Sequence, residues 1–189
     1  IIRNSASKCA VSGNDYIGGI AGFADTVSHC YAIANILEYG EFAGAVLGSA
    51  KDKKNLSENY FVGGDLGGLD DISYTGKSQE CDISDYVSFV KSSFGTETAF
   101  ELKFIADGKV IATVPFKYKE EIAKDKIPSV PEKRGYYGKW SSYDFASPTY
   151  DAEIEAEYYR NLDIIESELK RGDKAILLLC GAFDDTASI

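Results

Sequence analysis

Histidine and paired cysteines are scarce in this chain of 189 residues. The one histidine is His29, and the four cysteines, Cys9, Cys30, Cys81 and Cys180, form no CxxC pair. Zinc ribbons and thioredoxin-type redox sites depend on such pairs, so the sequence disfavours both. Two disulfides are possible in principle, but we expect buried free thiols.

Methionine and long apolar runs are also missing. The chain contains no methionine and begins with Ile1 and Ile2, so we expect a processed chain or an excised fragment. The longest apolar candidate, from Ala175 to Cys180, is far shorter than the roughly 20 residues that a membrane-spanning helix needs. We therefore predict no membrane insertion within these residues.

Basic residues are outnumbered by acidic ones, 20 against 30, and the formal net charge is −10. An acidic surface repels phosphate backbones, so we do not expect nucleic-acid binding. The hydrophobic content of 44% can fill a core, and the length suits one ordinary domain or two small ones. With 18 glycines, 13 tyrosines and 10 phenylalanines but only 4 prolines, the composition indicates many short strands and turns.

One glycine-flanked apolar segment occurs twice, as DYIGGIAGF at 15–23 and as EFAGAVLGS at 41–49. At an offset of 26 residues the two copies align Tyr16 with Phe42, Gly18 with Gly44, Ile20 with Val46, and Gly22 with Gly48. Upstream, at an offset of 25 residues, Ile2 aligns with Val27, Ser5 with Cys30, and Ala6 with Tyr31. A weaker third copy at 55–64 places Leu56 and Tyr60 at the Ile2 and Ala6 positions.

A repeat of this length is typical of stacked β-units, each of which buries its apolar face only against the next copy. We expect strands with glycine at tight turns or close backbone approaches. A phosphate-binding glycine loop is not expected, because no Lys-Ser/Thr pair follows and the element recurs. Residues 1–76 resemble the GLUG motif of large secreted and surface-attached bacterial proteins. This resemblance implies a β-solenoid-like stack and supplies no catalytic residues.

Residues 77–98 are predicted to be a linker that contains one short helix over 82–95. Tyr86, Phe89 and Val90 have the i, i+3, i+4 spacing of a helical face, and a glycine closes the segment. Alternation of polar and apolar residues over the same stretch leaves a strand as the alternative.

From residue 99 the pattern changes. The segment AFELKFIADGKVIATVPFKY alternates on both sides of an Asp-Gly turn, which predicts a β-hairpin. The segment IPSVPEKRGYYGKW then follows an extended path, and TYDAEIEAEYY alternates again. This order, across residues 100–159, resembles the internalin-type B repeat, also called the Listeria–Bacteroides repeat. The resemblance implies a β-grasp-like module, which we place at 99–160, and we predict a β tail or the start of a further module at 161–189.

Candidate functional side chains fall into three groups. Aromatic rings that stack on sugars are one possibility, and these ligand-binding candidates are Tyr136, Tyr137, Trp140 and Tyr143. Oxygen ligands for Ca²⁺ in a glycine-rich acidic loop are another, and these metal candidates are Asp65, Asp70 and Asp71. A core role for the aromatics and a solvated turn for the aspartates are the alternatives. His29 aligns with Asn4 and Glu58, so we expect a polar position beside a strand turn rather than a catalytic base.

The expected architecture is mainly β, with β-solenoid-like stacked repeats, one short connecting helix and a small β-grasp-like module. The expected role is non-enzymatic, as a stalk, spacer or adhesin-type binding region of a bacterial extracellular or cell-surface protein. The alternative is a carbohydrate-binding accessory region of a secreted glycan-active enzyme. The expected partners are host or bacterial surface glycans or proteins, and no cofactor is expected.

Overall fold

The structure is a computed structural model that describes residues 1–64 and 66–160. It contains 47% strand and 11% helical residues, which confirms the predicted mainly β class. No helix in these ranges is long and apolar enough to cross a membrane. The β tail predicted at 161–189 lies outside the described residues.

The first half of the chain consists of eleven short strands. In chain order, β1 to β11 cover Ile2–Arg3, Ala6–Ser12, Ile17–Gly18, Ala21–Ala24, Val27–Ser28, Tyr31–Glu38, Ala43–Gly44, Leu47–Ala50, Leu56–Ser57, Asn59–Val62 and Ser78–Cys81. A short 3-10 turn, Lys53–Asn55, precedes β9. We call residues 1–76 the repeat region.

Strands of the repeat region pair in parallel with the equivalent strand of the next copy. In the sheet β1-β5-β9, Ile2 lies beside Val27 and Val27 beside Leu56. In the sheet β11-β10-β6-β2, Tyr31 lies beside Tyr60, and the pairs β3–β7 and β4–β8 are also parallel. The pairing therefore confirms the residue alignment that the sequence repeat predicted.

The repeated glycines lie where the backbone leaves no space for a side chain. A methyl group on Gly22 would overlap the carbonyl oxygen of Tyr16, and one on Gly48 would overlap that of Phe42. Tyr16 and Phe42 both have left-handed backbone conformations, with φ of 56° and 59°. Glycine recurs because the same turn recurs, and in each copy a carbonyl oxygen occupies the space that Cβ would need.

Aliphatic and aromatic side chains from successive copies fill the interior of the repeat region. The largest of these buried side chains belong to Val27, Val46, Leu47, Leu56, Phe61 and Leu69. Asn59 is also fully buried, and its Nδ2 donates to the carbonyl oxygens of Val27 at 2.9 Å and Lys77 at 2.8 Å. The donor groups of this buried side chain are thus hydrogen-bonded to the backbone of neighbouring turns, as a buried polar group requires.

The helix α1, Ile83–Phe94, follows β11. It begins after Asp82 and ends at Gly95, which has a left-handed φ of 69°. The carboxylate of Asp85 accepts a hydrogen bond from the Asp82 N–H at 3.3 Å. The predicted helix is confirmed, and the strand alternative is not. Strand β11 was not predicted: it lies within residues 77–98, the predicted linker, and pairs in parallel with β10.

A mixed sheet forms the second half of the described chain. Its strands β12, β13, β14 and β15 cover Phe100–Ala106, Lys109–Phe116, Tyr136–Trp140 and Ala152–Arg160, and a 3-10 turn covers Lys124–Lys126. The order is β13-β12-β15-β14, and β12 pairs antiparallel with β13 but parallel with β15. The predicted hairpin is confirmed, with its turn at Asp107 and Gly108, where φ is 47° and 72°.

Alternating residues of this sheet face its own core. The buried strand residues are Leu102, Phe104, Val114 and Ile154. Ile122, from the segment between β13 and β14, packs with them. In β15 the predicted alternation is present, because Ile154 is buried while Glu153 and Glu155 are exposed.

Side chains from α1 and from both halves of the chain share a further core. Its buried members are Ile33, Val62, Tyr86, Val90 and Phe100. The Tyr86 hydroxyl donates to the Ser7 carbonyl at 3.0 Å, and the Tyr118 hydroxyl donates to the Gly63 carbonyl at 3.1 Å. The helix therefore packs the repeat region and the mixed sheet against each other.

Candidate binding surface

The structure divides the four aromatic candidates between the core and the surface. Trp140 packs edge-on against Phe104 at 5.0 Å between ring centroids, and its Nε1 donates to the Pro128 carbonyl at 2.6 Å. Tyr143 donates to the Tyr150 carbonyl at 2.7 Å, and desolvation by burial is the main reason that its pKa is raised. These two rings pack against the core of the mixed sheet.

Tyr136 and Tyr137 remain on the surface, with 45% and 62% of their area exposed. They are adjacent in β14, so their side chains point to opposite faces of the sheet. The ring of Tyr136 lies under the Lys133 ammonium group, 5.7 Å from the centroid. The four candidates therefore do not form one row of rings on which a sugar chain could stack.

Two of the three aspartate candidates are turn residues. Asp70 and Asp71 are exposed, with left-handed φ of 46° and 57°. The Asp71 carboxylate accepts a hydrogen bond from the Gly67 N–H at 3.0 Å. Asp65 lies outside the described residues. Within residues 1–64 and 66–160, no three acidic, histidine or cysteine side chains are grouped so as to hold a metal ion.

His29 occupies the polar turn position that the repeat alignment indicates. Asn4, His29 and Glu58 all have left-handed backbones, with φ of 48°, 53° and 53°. The N–H of Asn4 donates to the Ser28 carbonyl, and the N–H of His29 donates to the Ser57 carbonyl, both at 3.1 Å. The imidazole Nε2 contacts the Glu58 carboxylate, so the side chains of neighbouring copies meet.

An open groove of about 610 Å³, which the sequence did not predict, is lined by β6, β10, β11 and the start of α1. We call it the β11 groove, and its lining side chains are Tyr31, Tyr60, Gln79, Glu80, Cys81, Asp82 and Asp85. The rings of Tyr31 and Tyr60 stack at 4.9 Å, and Phe89 of α1 stacks on Tyr31 at 4.2 Å. Ala6, at the equivalent position of the first copy, has no ring of its own to stack on Tyr31.

Negative charge dominates the β11 groove. Glu80, Asp82 and Asp85 form no salt bridge with any described basic side chain. Desolvation, followed by the charges of Asp85, Asp82 and Glu80, raises the pKa of Cys81 to about 11. Desolvation also raises the pKa of Tyr31, with smaller contributions from nearby groups that include Asp85 and Glu58. The thiol and the phenol therefore stay protonated at neutral pH.

Parts of this groove were visible in the sequence. Tyr31 and Tyr60 share one position of the repeat, and the segment ECDISD at 80–85 concentrates three acids. The sequence did not show that this acidic segment lies beside the two tyrosines, because that proximity depends on β11, a strand that was not predicted.

A second exposed aromatic group consists of two rings from the repeat turns, Tyr16 and Phe42, and one ring from β4, Phe23. The rings of Tyr16 and Phe42 stack at 4.8 Å, and Phe23 meets Tyr16 edge-on at 6.3 Å. Their exposed fractions are 48% for Tyr16, 36% for Phe42 and 56% for Phe23. Exposed aromatic groups of this kind often mark an interaction surface.

No family model, no curated protein and no solved structure matches the chain. The resemblances to the GLUG motif and to the internalin-type B repeat therefore stay predictions.

Proposed function

We propose that the chain is a non-enzymatic stalk, spacer or adhesin-type binding region of an extracellular or cell-surface protein. In this proposal the repeat region is a β-solenoid-like stack and residues 99–160 form a β-grasp-like module. The observation that carries it is the parallel register, which places equivalent residues of successive copies side by side. Such a stack becomes longer with each repeat in the sequence and presents an extended surface. A spacer or a binding stalk needs both properties.

The core formed by Ile33, Val62, Tyr86, Val90 and Phe100 adds mechanical support. It joins the repeat region to the mixed sheet through packed side chains instead of a free linker. A spacer that holds its ends at a set distance requires such a junction, since a soft linker would let the two halves move independently.

A stretching measurement tests the spacer role. The full chain, held between two handles in a single-molecule force experiment, is expected to resist extension and then to unfold in discrete force peaks. Smooth extension at low force, as for a flexible coil, would contradict the proposal.

Carbohydrate binding is the second candidate, and the exposed rings of Tyr16, Phe23 and Phe42 favour it. Aromatic faces pack against the apolar faces of sugar rings, and the neighbouring Asp15 and Glu41 supply hydrogen-bond acceptors. A glycan array with the purified chain, with and without Ca²⁺, tests this role. Selective binding that Phe23→Ala abolishes and Tyr137→Ala preserves would favour the second candidate over a simple spacer.

A further inference from the structure

We propose that the open end of the repeat region binds an extended repeat segment of a partner polypeptide, which adds one further parallel layer to the stack. The open end is the edge formed by the four strands of the first copy, β1, β2, β3 and β4. The proposal deepens the binding role proposed above, on which it rests, by naming the surface and the chemistry of its partner.

Unpaired strand edges are the first observation. Each of β1 to β4 stands last in its sheet, and no described strand pairs with it on the outer side. The Ser5 carbonyl accepts a hydrogen bond from the Tyr31 N–H at 2.9 Å, and from there alternate residues of β2 direct their backbone groups to β6. The N–H and C=O groups of Ala6, Lys8 and Ala10 therefore point away from β6, where an added strand can pair with them.

Incomplete burial of the first copy is the second observation. Ile2 and Ile20 are only partly buried, whereas their repeat equivalents Val27 and Val46 have no exposed area. Val27 lies between Ile2 and Leu56, but Ile2 has a paired neighbour on one side only among the described residues. A further layer with an apolar residue beside Ile2 would remove this surface from water.

The opposite end of the repeat region is covered. The N–H groups of Ala45 and Val46 donate to the carbonyl oxygens of Gly67 and Gly68, both at 2.9 Å, and β11 pairs with the outer side of β10. Among the described residues, a second copy of this chain therefore offers no matching set of open edges at that end. Its formal net charge of −10 also disfavours self-association, so the occupant is a different polypeptide.

The packing between successive copies defines what the partner segment must contain. Parallel pairing in register joins the copies, so the segment needs apolar residues at the positions of Val27 and Val46. It also needs glycine at the position of Gly18, because a methyl group there would lie 2.7 Å from the Leu47 Cα of the next copy. The fitting occupant is thus a segment with the pattern of this chain's own repeats.

The test uses the full chain and a fluorescent peptide with the sequence of residues 26–50, the second copy, with binding measured by fluorescence anisotropy. Ile2→Lys places a charge on the open end, and Ile72→Lys is the matched control, because Ile72 is 48% exposed at the covered end. We expect binding to weaken about tenfold in Ile2→Lys and to change less than about twofold in Ile72→Lys, since only Ile2 loses apolar contact with the peptide. Equal weakening in both variants, or no binding to the unmodified chain, would overturn the proposal.

Peptide variants make the test independent of the folding of any protein variant. Gly44→Val in the peptide is expected to abolish binding, because Gly44 is the repeat equivalent of Gly18. Leu37→Val is the matched control and is expected to keep the affinity, since Leu37 is 52% exposed in the stack. Undiminished binding of the Gly44→Val peptide would show attachment without stacking in register and would contradict the proposal.

Hydrogen exchange of the unmodified chain locates the bound peptide. The amides of Lys8 and Ala10 are expected to exchange more slowly after the peptide is added, whereas those of Ser7 and Cys9, which face β6, are slow in both states. Slow exchange of Lys8 and Ala10 in the chain alone would show an edge that is already covered, and the proposal would then be wrong. Such a failure would leave the force-extension result intact, so it is distinguishable from a failure of the spacer role.

Discussion

The side chain of Asn59 holds the backbone of Cys30, since its Oδ1 accepts a hydrogen bond from the Cys30 N–H at 3.2 Å. The Nδ2 group of Asn59 donates to two further carbonyl oxygens, so one side chain bonds to three backbone groups. Asn59 occupies the repeat position of Cys30, one copy further along the chain. A single amide side chain therefore links the second and third copies.

Asn59→Leu is expected to lower the free energy of unfolding by about 2–4 kcal/mol, because it leaves buried backbone groups without partners. Urea unfolding followed by circular dichroism measures the change. The control is Asn55→Ala, since Asn55 is exposed and, among the described residues, its side chain bonds only to Asp25. Equal stability of the two variants would show that the Asn59 bonds contribute little.

Gly48→Ala is expected to cost about 3 kcal/mol or more, because the added methyl group would meet backbone atoms that cannot move aside. The new Cβ would overlap the Phe42 carbonyl oxygen and lie 2.7 Å from the Ile17 nitrogen. Gly64→Ala is the matched control, since its nearest neighbour would be a carbonyl oxygen at 3.9 Å. Thermal unfolding of both variants gives the comparison, and a stable Gly48→Ala protein would contradict the structural role of the repeated glycine.

Trp140→Ala is expected to destabilise the protein by about 3 kcal/mol, the lower end for removal of a large aromatic side chain, because the indole is half-buried against the core. Tyr137→Ala is expected to change stability by less than about 0.5 kcal/mol, because Tyr137 is 62% exposed. Denaturant unfolding by circular dichroism tests both. A fully stable Trp140→Ala protein would instead fit a ring that serves a ligand.

Tyr86→Phe is expected to cost about 1 kcal/mol, since it removes the hydrogen bond to the Ser7 carbonyl but keeps the ring. Hydrogen exchange is expected to become faster in both β2 and β12, because the ring of Tyr86 lies in the core that the two halves share. Tyr39→Phe is the control, since Tyr39 is 51% exposed. Faster exchange in only one half would contradict a shared core.

Cys81 is expected to react slowly with iodoacetamide near neutral pH, because only the thiolate attacks and its pKa is about 11. At pH 9 roughly 1% of the thiol is ionised, so the rate is expected to keep rising towards pH 11. The folded pKa lies above the ordinary value of 9.0. Titration of Cys81 therefore leaves the free energy of unfolding unchanged below pH 9 and lowers it as the pH rises from about 9 to about 11, because the unfolded chain loses this proton first. Mass spectrometry of the alkylated peptide measures the rate, and a plateau by pH 9.5 would contradict the raised pKa.

Local patterns in the sequence predicted several elements correctly. The spacing of Tyr86, Phe89 and Val90 predicted α1, and the Asp107-Gly108 turn predicted the hairpin β12–β13. These signals succeed because the residues that define each element are neighbours in the chain. The repeat alignment succeeded for a related reason, since parallel pairing places similar residues of successive copies beside one another.

The sequence did not show which of the aromatic candidates are buried and which are exposed. Trp140 and Tyr137 belong to the same strand, yet the core of the mixed sheet lies on one side only. Which side is covered depends on segments far along the chain, such as the one that supplies Pro128 to the indole N–H. The β11 groove was hidden for the same reason, because β6 and β11 line one groove only once β10 lies between them.

By itself the sequence determined the mainly β composition, the repeat with its aligned residues, the one helix and the hairpin, because each of these depends on local conformational preference or on periodicity. Only the tertiary structure decided which aromatic rings are buried, how α1 joins the two halves, and where acidic and aromatic side chains form a groove. These outcomes depend on contacts between residues that are distant in the sequence. Such contacts are stabilised by burial of apolar surface and by hydrogen bonds that exist only in the folded chain.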